Sequence, residues 1–159
     1  MKIRIGYGYD VHKLVEGREF WLGGIKIDSE YGAFGHSDAD VLLHAIIDAM
    51  LGAANLRDIG FQYPDTDPNY KGVDSKELLR DAFQKIKDKG YKIGNIDSTI
   101  ILQSPKISSY IPRMIEEVST ILDLDQEDVS IKASTSERLG FLGREEGVAA
   151  HAVILLIKK

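Results

Sequence analysis

Val148 to Ile157 (VAAHAVILLI) places nine apolar side chains and one histidine in ten consecutive positions. So short an apolar run, rich in β-branched residues, reads as a strand with no polar face to turn toward water. A strand of that kind is buried on both faces. The chain must therefore build a sheet around it and lay helices over that sheet.

The rest of the sequence supplies the parts. Ile3 to Asp10 alternates apolar with polar or small residues, the pattern of another strand. Phe20–Leu22 and Ile25–Ile27 flank Gly23-Gly24, the signal for a tight hairpin. Val41, Leu42, Ala45, Ile46, Ala49 and Met50 recur at helical spacing behind a cap at Ser37 or Asp38, with fraying from Gly52 to Asn55. Asp58 to Gly72 holds two prolines, two glycines and three acids without periodicity. It reads as a loop of about fifteen residues, a length that compact domains seldom keep without a use.

A second helix opens at Asp74-Ser75-Lys76-Glu77 in capping-box style and stops at Gly90. Tyr91 to Leu102 and Val129 to Ala133 read as strands. Between them lies a helix carrying Ile111, Ile115, Val118, Ile121 and Leu122, with Pro112 where the first turn tolerates it. There is no internal repeat. The order strand, hairpin, helix, helix, strand, helix, strand, strand gives one α/β or α+β domain over residues 1–159.

Charge and composition narrow the chemistry. Twenty-five acidic against twenty basic residues leave a net charge of −5, which argues against a general phosphate-gripping surface for nucleic acid. No cysteine is present, so disulfides, thiolate-held zinc, iron–sulfur ligation and thiol nucleophiles are excluded. Any metal must be held by His, Asp, Glu or water. The N-terminus has no apolar signal region and no stretch approaches the ~20 apolar residues of a membrane span, which predicts a cytoplasmic protein without a membrane partner.

Three of the four histidines, His12, His36 and His44, fall early in the chain; the fourth is His151. Asp10 and His12 alternate to the same side of the first strand. His44 has Asp40 four residues before it and Asp48 four after, all on one helical face. Three protein ligands of this kind leave zinc an open fourth position, which suits catalysis, and Asp40 and Asp48 are placed to orient the other ring nitrogen of His44. The same spacing also fits an ordinary surface Asp-X-His and a helical histidine. Gly35-His36-Ser37-Asp38, Gln103-Ser104-Pro105-Lys106 and Ser134-Thr135-Ser136-Glu137, the last followed by Gly140-Phe141-Leu142-Gly143-Arg144, read either as a diphosphate site or as plain capping and turn chemistry.

Taken together, GYDVHKL (8–14), GHSDADVLLHAIIDAMLGAANLRDIG (35–60), FQYPDTDPNYKGVDS (61–75), QSPKI (103–107) and IKASTSERLGFLGREEG (131–147) resemble the 2-C-methyl-D-erythritol 2,4-cyclodiphosphate synthase family, and the resemblance runs from near residue 3 through the last strand. It implies a mixed sheet covered by helices on one side, in a homotrimer around a central sheet-lined channel with active sites between subunits. It implies Asp10, His12 and His44 as zinc ligands, and Glu137 on a second divalent ion, Mg²⁺ or Mn²⁺. His36 and Thr135 match the residues that support the transition state, with Ser37 beside His36.

The resemblance also assigns the substrate's two ends. Asp58, Ile59 and Gly60 match the binding of the methylerythritol part, and Phe61, Gln62, Tyr63, Pro64 and Asp65 the flexible loop over it. Leu102, Gln103, Ser104, Pro105, Lys106, Ile107 and Ser108 match the turn that holds the cytosine nucleotide. Ser134, Thr135, Ser136 and Glu137 match the phosphate turn, with Phe141 and Arg144 among the substrate contacts. Arg144 and Glu146 correspond to residues at one end of the channel. Leu102, Ile107 and Ser134 stand where the family often has Ala, Met and Thr, differences of packing. The implied substrate is a cytidine diphosphate derivative, 4-diphosphocytidyl-2-C-methyl-D-erythritol 2-phosphate. A zinc-dependent phosphohydrolase and a trimeric module binding nucleotide or isoprenoid phosphate are the other readings of these residues.

Overall fold

A computed structural model describes the whole chain, Met1–Lys159. The apolar segment forms β7 (Gly147–Lys158) at the centre of a five-stranded sheet. On one side it pairs antiparallel with β1 (Ile3–Glu16), from Ile3 opposite Ile157 to Lys13 opposite Gly147. On the other side it pairs antiparallel with β5 (Tyr91–Ile101), which in turn pairs in parallel with β6 (Val129–Ser134). β1 runs well past its expected end at Asp10, and its far half pairs with β4 (Tyr31–Phe34), a strand that YGAF does not announce by alternation. The hairpin forms its own two-stranded sheet, β2 (Phe20–Leu22) and β3 (Ile25–Ile27), turning on Gly23 and Gly24 at φ 62° and 79°.

Five α-helical segments complete the chain: α1 (Val41–Ala53), α2 (Ile59–Gln62), α3 (Ser75–Asp88), α4 (Ile111–Leu122) and α5 (Gly140–Gly143). α1 begins later than expected, with Asp40 as its cap in place of Ser37 or Asp38. Its carboxylate accepts from the Leu43 amide, and Ala39 at φ 57° breaks the backbone between Ser37-Asp38 and the helix. At α3, Asp74 caps the Lys76 amide, while Glu77 pairs with Arg80 and does not reach back to complete the box. The segment expected as a featureless loop contains α2 and a 3₁₀ turn at Pro68–Tyr70, capped by Asp58 and Asp67. Two short segments with Asx caps satisfy their own backbone, so they fold without apolar periodicity.

The helices cover one face of the sheet only. Against α1, β1 presents glycine: a Cβ on Gly6 would lie 1.9 Å from the Ala49 carbonyl oxygen, which only an absent side chain permits. Thirty-nine buried residues form one apolar cluster between sheet and helices. The opposite face carries Ile5 at 72% exposure, Tyr7 at 59% and Val153 at 43%. β7 is therefore enclosed at Val148–Ala150 but alternates beyond His151, so burial on both faces holds for only part of it within one chain. The reason is the one-sided helix layer. No helix is long and apolar enough to cross a membrane.

Candidate metal centre and active site

The close approach at Gly6 and Gly8 sets α1 directly on β1 and brings His44 over the strand residues Asp10 and His12. His12 Nε2 lies 2.9 Å from Asp10 Oδ2, and His44 Nδ1 lies 3.0 Å from the same oxygen. One ligand atom from each of the three residues falls within 4.8 Å of the others. The opposite ring nitrogens face away: His12 Nδ1 donates to the Phe34 carbonyl at 2.9 Å, and His44 Nε2 lies 2.8 Å from the Ser75 hydroxyl. Two imidazole nitrogens and a carboxylate oxygen thus converge on one point, where protons or a divalent cation can bridge them. The donor set fits a divalent metal that accepts nitrogen and oxygen ligands.

Electrostatics agree with the geometry. Burial favours the neutral acid at Asp10, but hydrogen bonds and charge from His12 and His44 outweigh it and bring its pKa down to about 2. Burial opposes protonation of His12, and the Asp10 hydrogen bond overcomes this to raise the His12 pKa.

Two expected contacts are not made. Asp40 is buried beneath the β2–β3 turn, where its carboxylate accepts from the amides of Gly23 at 3.0 Å, Gly24 at 2.8 Å and Leu43 at 3.1 Å. Burial and the neighbouring Asp38 push its pKa up to about 6 against those amide bonds. Asp48 accepts from the Ile59 amide at 3.0 Å and fixes the start of α2. Neither aspartate hydrogen-bonds the His44 ring. Unpaired amides at a turn and at a helix start claim their carboxylates instead.

A cavity of about 420 Å³ opens above the triad, lined among others by His36, Ser37, Ile59, Gly60, Tyr63 and Asp65. Asp58 stands just outside as the α2 cap, with Phe61 exposed and the Gln62 side chain turned to the Leu56 carbonyl. Pro64 continues the same segment. The buried Tyr63 faces the cavity with its ring while its hydroxyl donates to Asp81 on α3 at 2.6 Å. Lys85 closes this contact, 2.7 Å from Asp81, and the edge of Tyr70 packs against Tyr63 with ring centres 5.4 Å apart. The Gly72 amide donates to the His36 carbonyl at 3.1 Å. The loop is thus pinned at Asp48, Asp81 and His36.

The remaining site residues gather elsewhere along the same sheet end. Leu102, Gln103, Pro105, Lys106, Ile107 and Ser108 enclose a pocket of about 180 Å³ with Ser134 and Thr135, and Ser104 lies in the same turn. The Gln103 side chain accepts from the Arg138 amide at 3.2 Å, tying this turn to Ser136-Glu137. Asp10 lies opposite Ala150, Ala150 opposite Ile100, and Ile100 opposite Ala133. Three strand spacings of ~4.8 Å put the two clusters about 14 Å apart within one chain. Glu137 is exposed at φ 52°, Phe141 is exposed, and Arg144 pairs with Glu146 at 2.8 Å. A separate cleft of about 510 Å³, by Arg18 and Trp21, lies on the far side of Ser37 and Asp38 and holds no metal-ligating triad.

Sequence reasoning missed Ser75, Asp38 and the Phe34 carbonyl behind the histidines, and Asp81 and Lys85 behind the loop. Ser75, Asp38 and Asp81 act on groups 18 or more residues away in sequence, which no local pattern signals, whereas Lys85 meets Asp81 by ordinary i,i+4 helical spacing.

A one-sided α+β sheet with an Asp-His-His metal centre at the end of one strand and a polar turn pocket beside it defines a class of enzyme with a metal site of nitrogen and oxygen ligands. The chain belongs to the YgbB family, whose profile matches residues 3–157. A 2-C-methyl-D-erythritol 2,4-cyclodiphosphate synthase of Bacteroides thetaiotaomicron is 56% identical over 158 residues, covering 99% of each protein. The structure of the bifunctional IspDF from Campylobacter jejuni matches with a TM-score of 0.95 and 42% identity, over 99% of this chain and 43% of that one. An IspF structure from Plasmodium falciparum, a complex with CDP, matches with a TM-score of 0.87 and 40% identity, over 99% and 97%.

Proposed function

We propose that residues 1–159 act as one cyclodiphosphate synthase domain. It converts 4-diphosphocytidyl-2-C-methyl-D-erythritol 2-phosphate to 2-C-methyl-D-erythritol 2,4-cyclodiphosphate and CMP, in the non-mevalonate route to isoprenoid precursors. The observation that carries this reading is the convergence of Asp10, His12 and His44 beneath the pinned loop, in a chain matched end to end by a synthase of that name.

The 2-phosphate oxygen attacks the β-phosphorus, the bond to the α-phosphate oxygen breaks, and CMP leaves. A phosphate monoester is already mostly dianionic at neutral pH, with a second pKa of about 6, so no strong base is needed. The obstacle is bringing one anion onto another, and orientation alone can contribute roughly 7–11 kcal/mol. Asp58 and the Ile59–Asp65 segment hold the methylerythritol part. The Leu102–Ser108 turn holds the cytidine, while Lys106 and Arg144 supply local positive charge to a chain of net charge −5. His36, Ser37 and Thr135 position the phosphates and donate to their oxygens. Zn²⁺ on Asp10, His12 and His44, and Mg²⁺ or Mn²⁺ on Glu137, supply charge neutralisation at the diphosphate when bound.

The assembly is a homotrimer in the cytoplasm, with the nucleotide turn of one copy facing the metal cavity of the next. The exposed apolar face of β1 and β7 supports this, because Ile3, Ile5, Tyr7, Tyr9, Val11 and Val153 all stand exposed on it, and contiguous apolar surface of that kind marks an interaction site. Arg144 and Glu146 then sit at one end of the channel.

Incubation with substrate, zinc and magnesium, followed by ³¹P NMR, tests the reading. Cyclisation retains both phosphorus atoms in a cyclic diphosphate and releases CMP. A monophosphate product would mark a zinc-dependent phosphohydrolase, and unchanged substrate a binding module for nucleotide or isoprenoid phosphate; either overturns it.

A further inference from the structure

Behind His44 lies a polar chain that the catalytic reading leaves unused. Ser75, the first residue of α3, is fully buried, and its hydroxyl sits between His44 Nε2 at 2.8 Å and Asp38 Oδ1. The Ser75 amide donates to the other Asp38 oxygen at 2.9 Å, and the Asp40 amide donates to Asp38 Oδ1 at 3.1 Å. Ser37 Oγ is a longer neighbour of His44 Nε2, at 3.3 Å.

The order of donors follows from counting protons. A carboxylate only accepts, so the single Ser75 hydroxyl proton goes to Asp38. The Ser75 oxygen then has only lone pairs left for His44, and His44 must present Nε2–H to it. Were the hydroxyl turned toward His44 instead, the fully buried Ser75 oxygen would face the Asp38 carboxylate as acceptor against acceptor. Neutral His44 therefore carries its single proton on Nε2, which leaves the Nδ1 lone pair for the metal in place of a proton shared with Asp10.

We infer that Ser75 and Asp38 are positioning residues that hold His44 in the Nε2–H tautomer and aim its Nδ1 at the metal. The inference rests on the metal-centre reading above. It also joins two parts of the site, because Ser75 opens α3 three residues beyond Gly72, where the loop over the cavity ends. The helix start that follows the loop is thereby hydrogen-bonded to a metal ligand.

Zinc affinity measured by chelator competition tests the assignment, on the full-length protein and in the absence of substrate. Ser75→Ala and Asp38→Asn are each expected to weaken zinc binding by roughly 10–100-fold. The double variant is expected to lose little more than the worse single one, since both act through one chain. Ser75→Thr keeps the hydroxyl and is expected to retain most of the affinity. In the cobalt-loaded form the visible spectrum should shift in Ser75→Ala, with far-UV circular dichroism unchanged. Wild-type zinc affinity in Ser75→Ala, or fully additive losses in the double variant, overturns the assignment. If Ser75→Ala does not fold, Asp38→Asn with unaltered affinity overturns it equally. A wild-type chain that takes up no zinc overturns the metal centre itself, a different result from one in which only the variants match wild type.

Discussion

Gly8 and Ala45 are in backbone contact: a Cβ on Gly8 would lie 1.9 Å from the carbonyl oxygen of Ala45. That contact sets the distance between β1 and α1, and so the distance between Asp10 and His44. Gly8→Ala must push the helix outward. Overpacking of this kind costs about 1–3 kcal/mol, and more where backbone is the obstacle. The expected result is a lower Tm together with substoichiometric zinc by metal analysis. Wild-type values for both would show that the helix position does not control the site.

His12 gives zinc uptake a defined pH dependence. Its pKa is raised above 6.5 in the metal-free chain, and a proton on Nε2 occupies the lone pair that zinc needs. Affinity should therefore be highest above the raised pKa and fall as pH drops through it. Asp10, at about 2, stays ionised throughout that range. Chelator competition at a series of pH values checks this, and a flat profile between about pH 8 and pH 5 would contradict it.

Tyr63→Phe removes only the hydroxyl that reaches Asp81, leaving the ring in the cavity wall. Loss of such a hydrogen bond costs about 0.5–1.5 kcal/mol. Because the bond pins the loop without touching the reacting atoms, KM should rise several-fold while kcat changes less. Equal KM values for wild type and variant in a CMP-release assay would remove Tyr63 from loop positioning.

Glu137 tests the second ion. Glu137→Gln should shift the magnesium or manganese activation curve to higher concentration and leave bound zinc unchanged. Superimposable metal titrations would exclude Glu137 as a ligand.

Ile5 lies on the uncovered sheet face, 72% exposed. Light scattering should give three times the chain mass for wild type, and Ile5→Asp should lower it by desolvating a charge at the interface. A monomer mass for wild type at assay concentration would refute the trimer.

Much of the fold was legible because periodicity reports local burial. Val148–Ile157 predicted the central strand, and Gly23-Gly24, Pro112 and Gly90 marked a hairpin, a helix start and a helix stop. YGAF was not legible as β4, since an edge strand held by backbone bonds to β1 needs no alternation of its own. The start of α1 was misplaced because Ser37 and Asp38 are good caps by type, and only the left-handed turn at Ala39 passes that role to Asp40.

By itself the sequence determined which residue types were present: no thiol ligand, an Asp-X-His on one strand, and a helical histidine whose partners were guessed from helical spacing. That spacing named Asp40 and Asp48 as the aspartates behind His44. Tertiary structure decided otherwise, giving those carboxylates to amides at a turn and a helix start and bringing Ser75 and Asp38 to the ring. It also decided that β7 lies open on one face within a single chain. The physical reason is the same in each case. Periodicity records which way a side chain points along its own element, whereas a hydrogen-bond partner or a covering surface depends on what another element brings within about 3 Å.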